Sequence, residues 1–449
     1  MATGGAGRAG GARVSVVGAG LAGSEAAWQL AERGHDVLLL EMRPERTTPV
    51  HRTELFAELV CSNSLRGDDP GNAVGLLKHE MESLGSLVMR VARSAALPAG
   101  GALAGARERF SGGITEALTS HPRIRVERRE VTELPPGPAI LATGPLTSPD
   151  LHRALERELG EGALAFFDAI APIVAHDSLN HDRLFRASRY GKGAGDDYLN
   201  APLSRAEYEA FVARLTAAAT VPFKSFEADQ VRYFEGCLPI EVMAERGVET
   251  LRFGPMKPVG LTDPSTGRRP WAVLQLRQDD LAAEHWNLVG FQTKLTIPEQ
   301  QRVFKTLPGL EGARFVRYGM IHRNTFVNAP MHLDPTLRLL SRPGLRLAGQ
   351  MTGVEGYVES AATGLLAGLL SASELAGGRP APPPPETAHG GLIRHLTERD
   401  RTRFQPSNIT WGLIASPPTL TTLRDRRLRR QAQARHALDA LRQWADGLA

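Results

Sequence analysis

The apolar positions near the start of this chain fall into short, uninterrupted blocks. Residues 14–17 read VSVV and residues 37–41 read VLLLE, each of a length suited to a buried strand. Between them lies GAGLAGSEAAWQLAERG, glycine-rich at first and then rich in alanine and leucine. The pattern predicts a strand, a turn, a helix stopped near Gly34 and a second strand. Residues 73–120 have helical periodicity broken at LPAGGALAG, RIRVERREVTEL (123–134) alternates as a strand does, and AILATG (139–144) is a buried strand entering a turn. LRLAGQMTGVEGYVESAATGLLAGLLSASEL (345–375) returns to strand, turn and helix. GGRPAPPPPETAHGG (377–391) reads as an extended connector. The closing LRDRRLRRQAQARHALDALRQW predicts a basic amphipathic helix with Leu428, Leu438, Leu441 and Ala445 near one face.

Between about residue 165 and residue 310 the composition changes, with more aromatics and all but one of the six lysines. A chain of 449 residues is too long for one simple core. The expected organisation is a flexible Gly/Ala tail over 1–12, the first part of a dinucleotide-binding domain over 13–165, an inserted domain over 166–315, and the second part of the first domain over 316–449. The fold class is therefore α/β, a Rossmann-like domain interrupted by an inserted α/β domain. No run of about 18 apolar residues occurs, so no membrane span is expected. Two cysteines cannot build a disulfide framework, which fits a reducing cytoplasm. The net charge of +4 is too small to imply nucleic acid by itself.

Three glycine turns build one candidate cofactor site. In Gly18-Ala19-Gly20-Leu21-Ala22-Gly23, the first glycine makes the tight turn, the second lets backbone approach a pyrophosphate, and the third lets the helix lie close. Glu41 closes the next strand where ribose hydroxyls are expected, followed by Met42 and Arg43. Val131, Thr143 and Gly144 accompany the second turn; Gly349, Gln350, Gly353, Glu355 and Gly356 accompany the third, with Glu355 a candidate helix cap. Three turns spread over the chain suit a long cofactor, so FAD is favoured over NAD. No second GxGxxG follows a strand block, so a nicotinamide cofactor would visit the flavin without a Rossmann domain of its own. No metal-ligand set stands out.

The two thiols sit in polar stretches, Cys61 in ELVCSNSLRGDD and Cys237 in YFEGCLPIE. A packing cysteine normally lies in an apolar core. Polar neighbours leave open whether these thiols fill space or do chemistry.

Together with KPVGL, MIHRNTF and AGQMTGVEGYVESAATGLLAG, these stretches resemble the TrmFO family from about residue 13 to residue 415. Its members are folate- and FAD-dependent tRNA uracil-5-methyltransferases related to the longer MnmG (GidA) flavoproteins. The resemblance implies that NADH or NADPH reduces FAD. It implies that the carbon of 5,10-methylenetetrahydrofolate passes, by way of the flavin, to C5 of uridine 54 in the tRNA T-arm. It assigns Cys237 to attack on uracil C6, which makes C5 nucleophilic. It assigns Cys61 the part of a base or second thiol. His322, Arg323 and Asn324 become candidates for the pterin, and Lys192 with Asp196, Asp197 and Tyr198 candidates for folate or RNA. Arg424–Arg442 is a candidate phosphate contact, though a solvated helix face is the commoner reading. GARERF (105–110) departs from the VDR-type segment usual in the family. The alternatives are the same chemistry on ribosomal RNA, a small-molecule FAD oxidoreductase, and a flavin-bound RNA chaperone. A disulfide reductase is disfavoured because no CxxC occurs. The oligomeric state carries no sequence signal.

Overall fold

The first apolar block, Arg13–Val17, becomes a central strand of a six-stranded sheet. The computed structural model describes residues 13–48, 50–160, 163–169, 171–221, 238–398, 404–421 and 424–448, and only the backbone of 163–169, 321–325 and 421. The sheet runs Arg338–Leu339, Arg342–Leu347, Ala139–Leu141, Arg13–Val17, Asp36–Glu41, Ile124–Arg128, all neighbours parallel except the first pair. Val14, Val16, Leu39, Ile140 and Leu347 are fully buried in it, as the uninterrupted apolar blocks require of a covered parallel sheet.

Two helices from opposite ends of the chain lock together in this core. Leu21–Glu32 packs along Tyr357–Leu375. A Cβ at Gly364 would collide with the Ala22 carbonyl oxygen, and one at Gly368 would lie 2.9 Å from that of Ala26. Such close backbone approach needs glycine. It sets the first and third glycine turns side by side, where a Cβ at Gly349 would lie 2.9 Å from that of Ala22.

A second core lies under an antiparallel sheet ordered Phe185–Arg186, Tyr198–Leu203, Ala272–Gln278, His285–Leu288, Ile173–Ala175, Phe315–Arg317. Trp286, Phe211, Phe291 and Phe304 fill it, which accounts for the aromatic enrichment. The chain enters and leaves along one antiparallel ribbon, Ala163–Ala169 against Ile321–Val327.

Three elements differ from the sequence reading. The strand expected over 123–134 is confined to Ile124–Arg128. The stretch read as a connector becomes helical at Ala388, because Thr387 Oγ1 accepts from Gly390 N at 2.8 Å and buried Glu80 accepts from Ala388 N and His389 N. The last helix, Arg426–Asp446, buries Gln433, Ala434, Ala437 and Leu441, with Leu438 and Ala445 beside them. Leu428 is 57% exposed. It stands two and a half turns from Ala437, hence on the opposite side. No helix among the described residues is long and apolar enough to cross a membrane.

Candidate active site

Gly18 takes φ +94°, and a Cβ there would lie 2.6 Å from the Ala142 carbonyl oxygen. A Cβ at Gly23 would collide with the Gly18 carbonyl, so the helix can sit on its own turn only through glycine. Gly20 differs: nothing lies within 4 Å of where its Cβ would be. It faces a cavity, and as N-cap of Leu21–Glu32 it supplies no side-chain hydrogen bond to the first turn. Uncapped N–H groups at a helix start attract anions.

Glu41 braces this turn. Its Oε2 accepts from Ala19 N at 2.8 Å, and its Oε1 from Arg43 N at 3.1 Å and Arg43 Nε at 2.9 Å. Burial alone would raise its pKa, but Arg43 and these hydrogen bonds hold it below the usual carboxylate range. Arg43 reaches on to Glu58 and the Thr53 carbonyl. A carboxylate can accept about four hydrogen bonds, so Glu41 keeps capacity for one more.

The cavity, about 500 Å³, is of a size found for small-molecule sites. Gly18, Gly20, Leu21, Ala22, Glu41, Met42, Arg43, Val131, Thr143, Gly144, Gly349, Gln350, Glu355 and Gly356 all line it. Ala19, Gly23 and Gly353 stand behind the lining: Ala19 donates to Glu41, Gly23 packs on the turn, and Gly353 abuts the Phe404 ring. Glu355 is not the cap expected of it. Gly356 holds the N-cap position, and Glu355 Oε2 accepts from Gln350 Nε2 at 2.7 Å, tying the third turn together.

Cys61 lies at this cavity, half-buried. Its Sγ accepts from Tyr357 Oη at 3.1 Å, while that oxygen accepts from Cys61 N at 2.7 Å and Ser62 N at 3.2 Å. Burial, then the neighbouring Cys61, push the Tyr357 pKa well above 10, so the phenol stays a donor. The next residues are gripped by the second sheet: Arg277 donates to Asn63 Oδ1 at 2.9 Å and to Ser62 Oγ at 2.8 Å, and Asn63 donates to the Gln278 carbonyl. Arg66 pairs with fully buried Glu359, and buried Lys78 holds the Leu65 and Arg66 carbonyls. Burial lowers the Lys78 pKa to about 8. His51, also at the cavity, is lowered to about 4 by burial and by Arg43.

Other candidates fall elsewhere. Cys237 lies outside the described residues. His322, Arg323 and Asn324 belong to the ribbon strand Ile321–Val327, their side chains outside the description. Lys192 is exposed, with its alkyl chain near Gly101, and does not line the cavity. Asp197 Oδ2 accepts from Gly100 N at 2.6 Å, and Tyr198 donates to the Ala99 carbonyl at 3.0 Å, so this pair ties the two cores together. Asp196 is exposed. Arg277, His51 and Arg66 were missed by motif reading. Arg277 did carry a signal, a lone cation within the apolar run AVLQLRQ, where burial demands partners.

The family model described as "Glucose inhibited division protein A" matches residues 13–379. A relative from Symbiobacterium thermophilum, named methylenetetrahydrofolate--tRNA-(uracil-5-)-methyltransferase TrmFO, is 58% identical over 97% of this chain and 97% of its own. One of the same name from Geobacter sulfurreducens is 56% identical over 96% and 98%. Aquifex aeolicus GidA superposes with a TM-score of 0.69 at 16% identity, over 97% of this chain and 74% of that one, a likeness of fold.

Proposed function

The chain belongs to the glucose inhibited division protein A family and, within it, to the TrmFO methylenetetrahydrofolate--tRNA-(uracil-5-)-methyltransferases, and from that premise we propose how its residues methylate uracil C5 in tRNA. The finer reading is that the acceptor is uridine 54 of the T-arm, that NADH or NADPH is the reductant, and that the enzyme works in the cytoplasm.

The residues fit FAD. The uncapped helix start at Gly20–Ala22 would hold the pyrophosphate, Glu41 has an acceptor site left for a ribose hydroxyl, and Met42 and Val131 also line the cavity. Bound FAD supplies the reducing equivalents that take a methylene-level carbon to a methyl group.

The observation that carries the reading is that Cys61 lines the same cavity, its sulfur hydrogen-bonded by Tyr357. Cys237 adds through its thiolate to uracil C6, and the electron pair moves to make C5 nucleophilic. Once C5 has taken the carbon, its proton must leave. Cys61 accepts that proton, and Tyr357 holds the sulfur in place. Loss of that proton lets the bond from the carbon to its donor nitrogen break, the two-electron reduction that FAD would supply makes the carbon a methyl group, and departure of Cys237 from C6 restores the pyrimidine.

The test is to incubate the full chain with unmodified tRNA transcript, NADH and carbon-labelled methylenetetrahydrofolate, and to map the labelled nucleotide by mass. Label at uridine 54 is expected. Label only on a ribosomal RNA fragment offered in parallel, or on no RNA, overturns the reading. Cys237→Ala should retain FAD and lose transfer.

A further inference from the structure

The segment GARERF, which departs from the family pattern, ends a strand that serves the Cys61 strap. Ala102–Gly105 pairs with Ser64–Gly67, Gly105 N donates to the Asn63 carbonyl at 2.9 Å, and the helix Arg107–Thr119 starts two residues later. Arg107, at the start of this helix, is thereby carried to the segment that follows Cys61. Its Nε donates to Asp279 Oδ2 at 2.8 Å, and Asp279 follows Gln278, whose carbonyl is held by Asn63. The two remaining guanidinium nitrogens, Nη1 and Nη2, are buried and have no hydrogen-bond partner among the described residues. A buried cation with two idle donors is costly unless a negative charge forms beside it.

We propose that Arg107, anchored by Asp279, is the positioning residue that holds the Cys61 sulfur as thiolate, so that it can take the proton from the substrate. The cation acts through the sulfur and touches no reacting atom. The other groups facing this place fit that sign. Arg317 comes from the strand Phe315–Arg317, its Nη2 donating to the Val50 carbonyl and its buried Nε without a hydrogen-bond partner among the described residues; Arg277 is bound to Ser62 and Asn63, and Tyr357 donates to the sulfur. Asp279 offsets part of the charge of Arg107, Glu359 is closed on Arg66, and His51 is neutral. Burial opposes the charge on Arg107, yet Asp279, Tyr357 and Cys61 hold its pKa above the usual value. The proton-abstracting base is then present before substrate arrives, since thiolate and not thiol is the reactive form.

The inference rests on the reading of Cys61 as a reacting thiol, and its test reads ionisation directly. The full chain is alkylated with iodoacetamide between about pH 5 and about pH 10, and Cys61 and Cys237 are followed separately by peptide mass. Arg107→Gln should raise the midpoint for Cys61 by about one unit and slow its alkylation several-fold near neutrality. Arg107→Lys should stay within a few tenths of the parent, and the Cys237 profile should not move. An Arg107→Gln midpoint equal to the parent's overturns the proposal, whatever happens to methyl transfer. Should that variant not fold, Arg107→Met, which keeps the length of the side chain without its charge, takes its place, with the same rise expected and no rise overturning the proposal.

Discussion

Two turns in this chain, Gly18–Gly23 and Gly191–Gly195, are similarly rich in glycine, yet only the first faces the cavity. The first leads into a helix whose opening N–H groups lack a side-chain cap. The second leads into the strand Tyr198–Leu203, and its polar groups are consumed at home: Ser188 N donates to the Gly195 carbonyl, Asp197 N to Ser188 Oγ, and Gly100 N to Asp197. Glycine density therefore does not mark a ligand site. The element that the glycines open decides what stays free: a helix start leaves donors to spare, and a strand spends them.

The comparison can be broken experimentally. The largest effect should come from Gly23→Ala, where the new methyl meets the Gly18 carbonyl. A clash of this kind costs about 1–3 kcal/mol or more. We expect the purified variant to have lost most of its flavin absorbance and at least about tenfold in tRNA methylation. Next is Glu41→Gln, which removes charge-assisted bonds to Ala19 N and Arg43 worth about 2 kcal/mol in urea unfolding at neutral pH. The pKa of Glu41 is depressed, so its contribution is complete above the ordinary value of 4.5 and is lost as pH falls through the folded value. Parent and variant should therefore converge in stability on acidification, and a constant gap would refute the ionised brace. In the second turn, Asp197→Ala should cost about 1–2 kcal/mol by unbonding Gly100 N, seen as a lower Tm, while flavin content is unchanged. Smallest is Lys192→Ala, expected within about 0.5 kcal/mol of the parent in stability and with unaltered FAD retention.

The same contrast explains which features are legible in sequence. The turn at Gly18 is legible because strand, glycine spacing and helix are neighbours in the chain, as are the strand and turn around Ala139–Gly144. The surroundings of Cys61 are not. Tyr357 reaches it across 296 positions, and Arg277 reaches Asn63 across 214. No local period records such meetings. The change in composition after residue 165 flags a second core, but the strand order there depends on pairings between distant segments, such as Ile173–Ala175 with Phe315–Arg317. The exposed Leu428 departs from expectation for a simpler reason, since spotting leucines in a helix does not fix which side meets the protein.

The embrace of Leu21–Glu32 by Tyr357–Leu375 through Gly364 and Gly368 has a consequence during synthesis. The nascent amino-terminal third leaves the ribosome with its Gly18–Gly23 turn already spelled out but one wall of the cavity missing. That wall arrives only after the entire intervening antiparallel body has emerged. We expect a truncated product ending before residue 357 to purify without flavin absorbance.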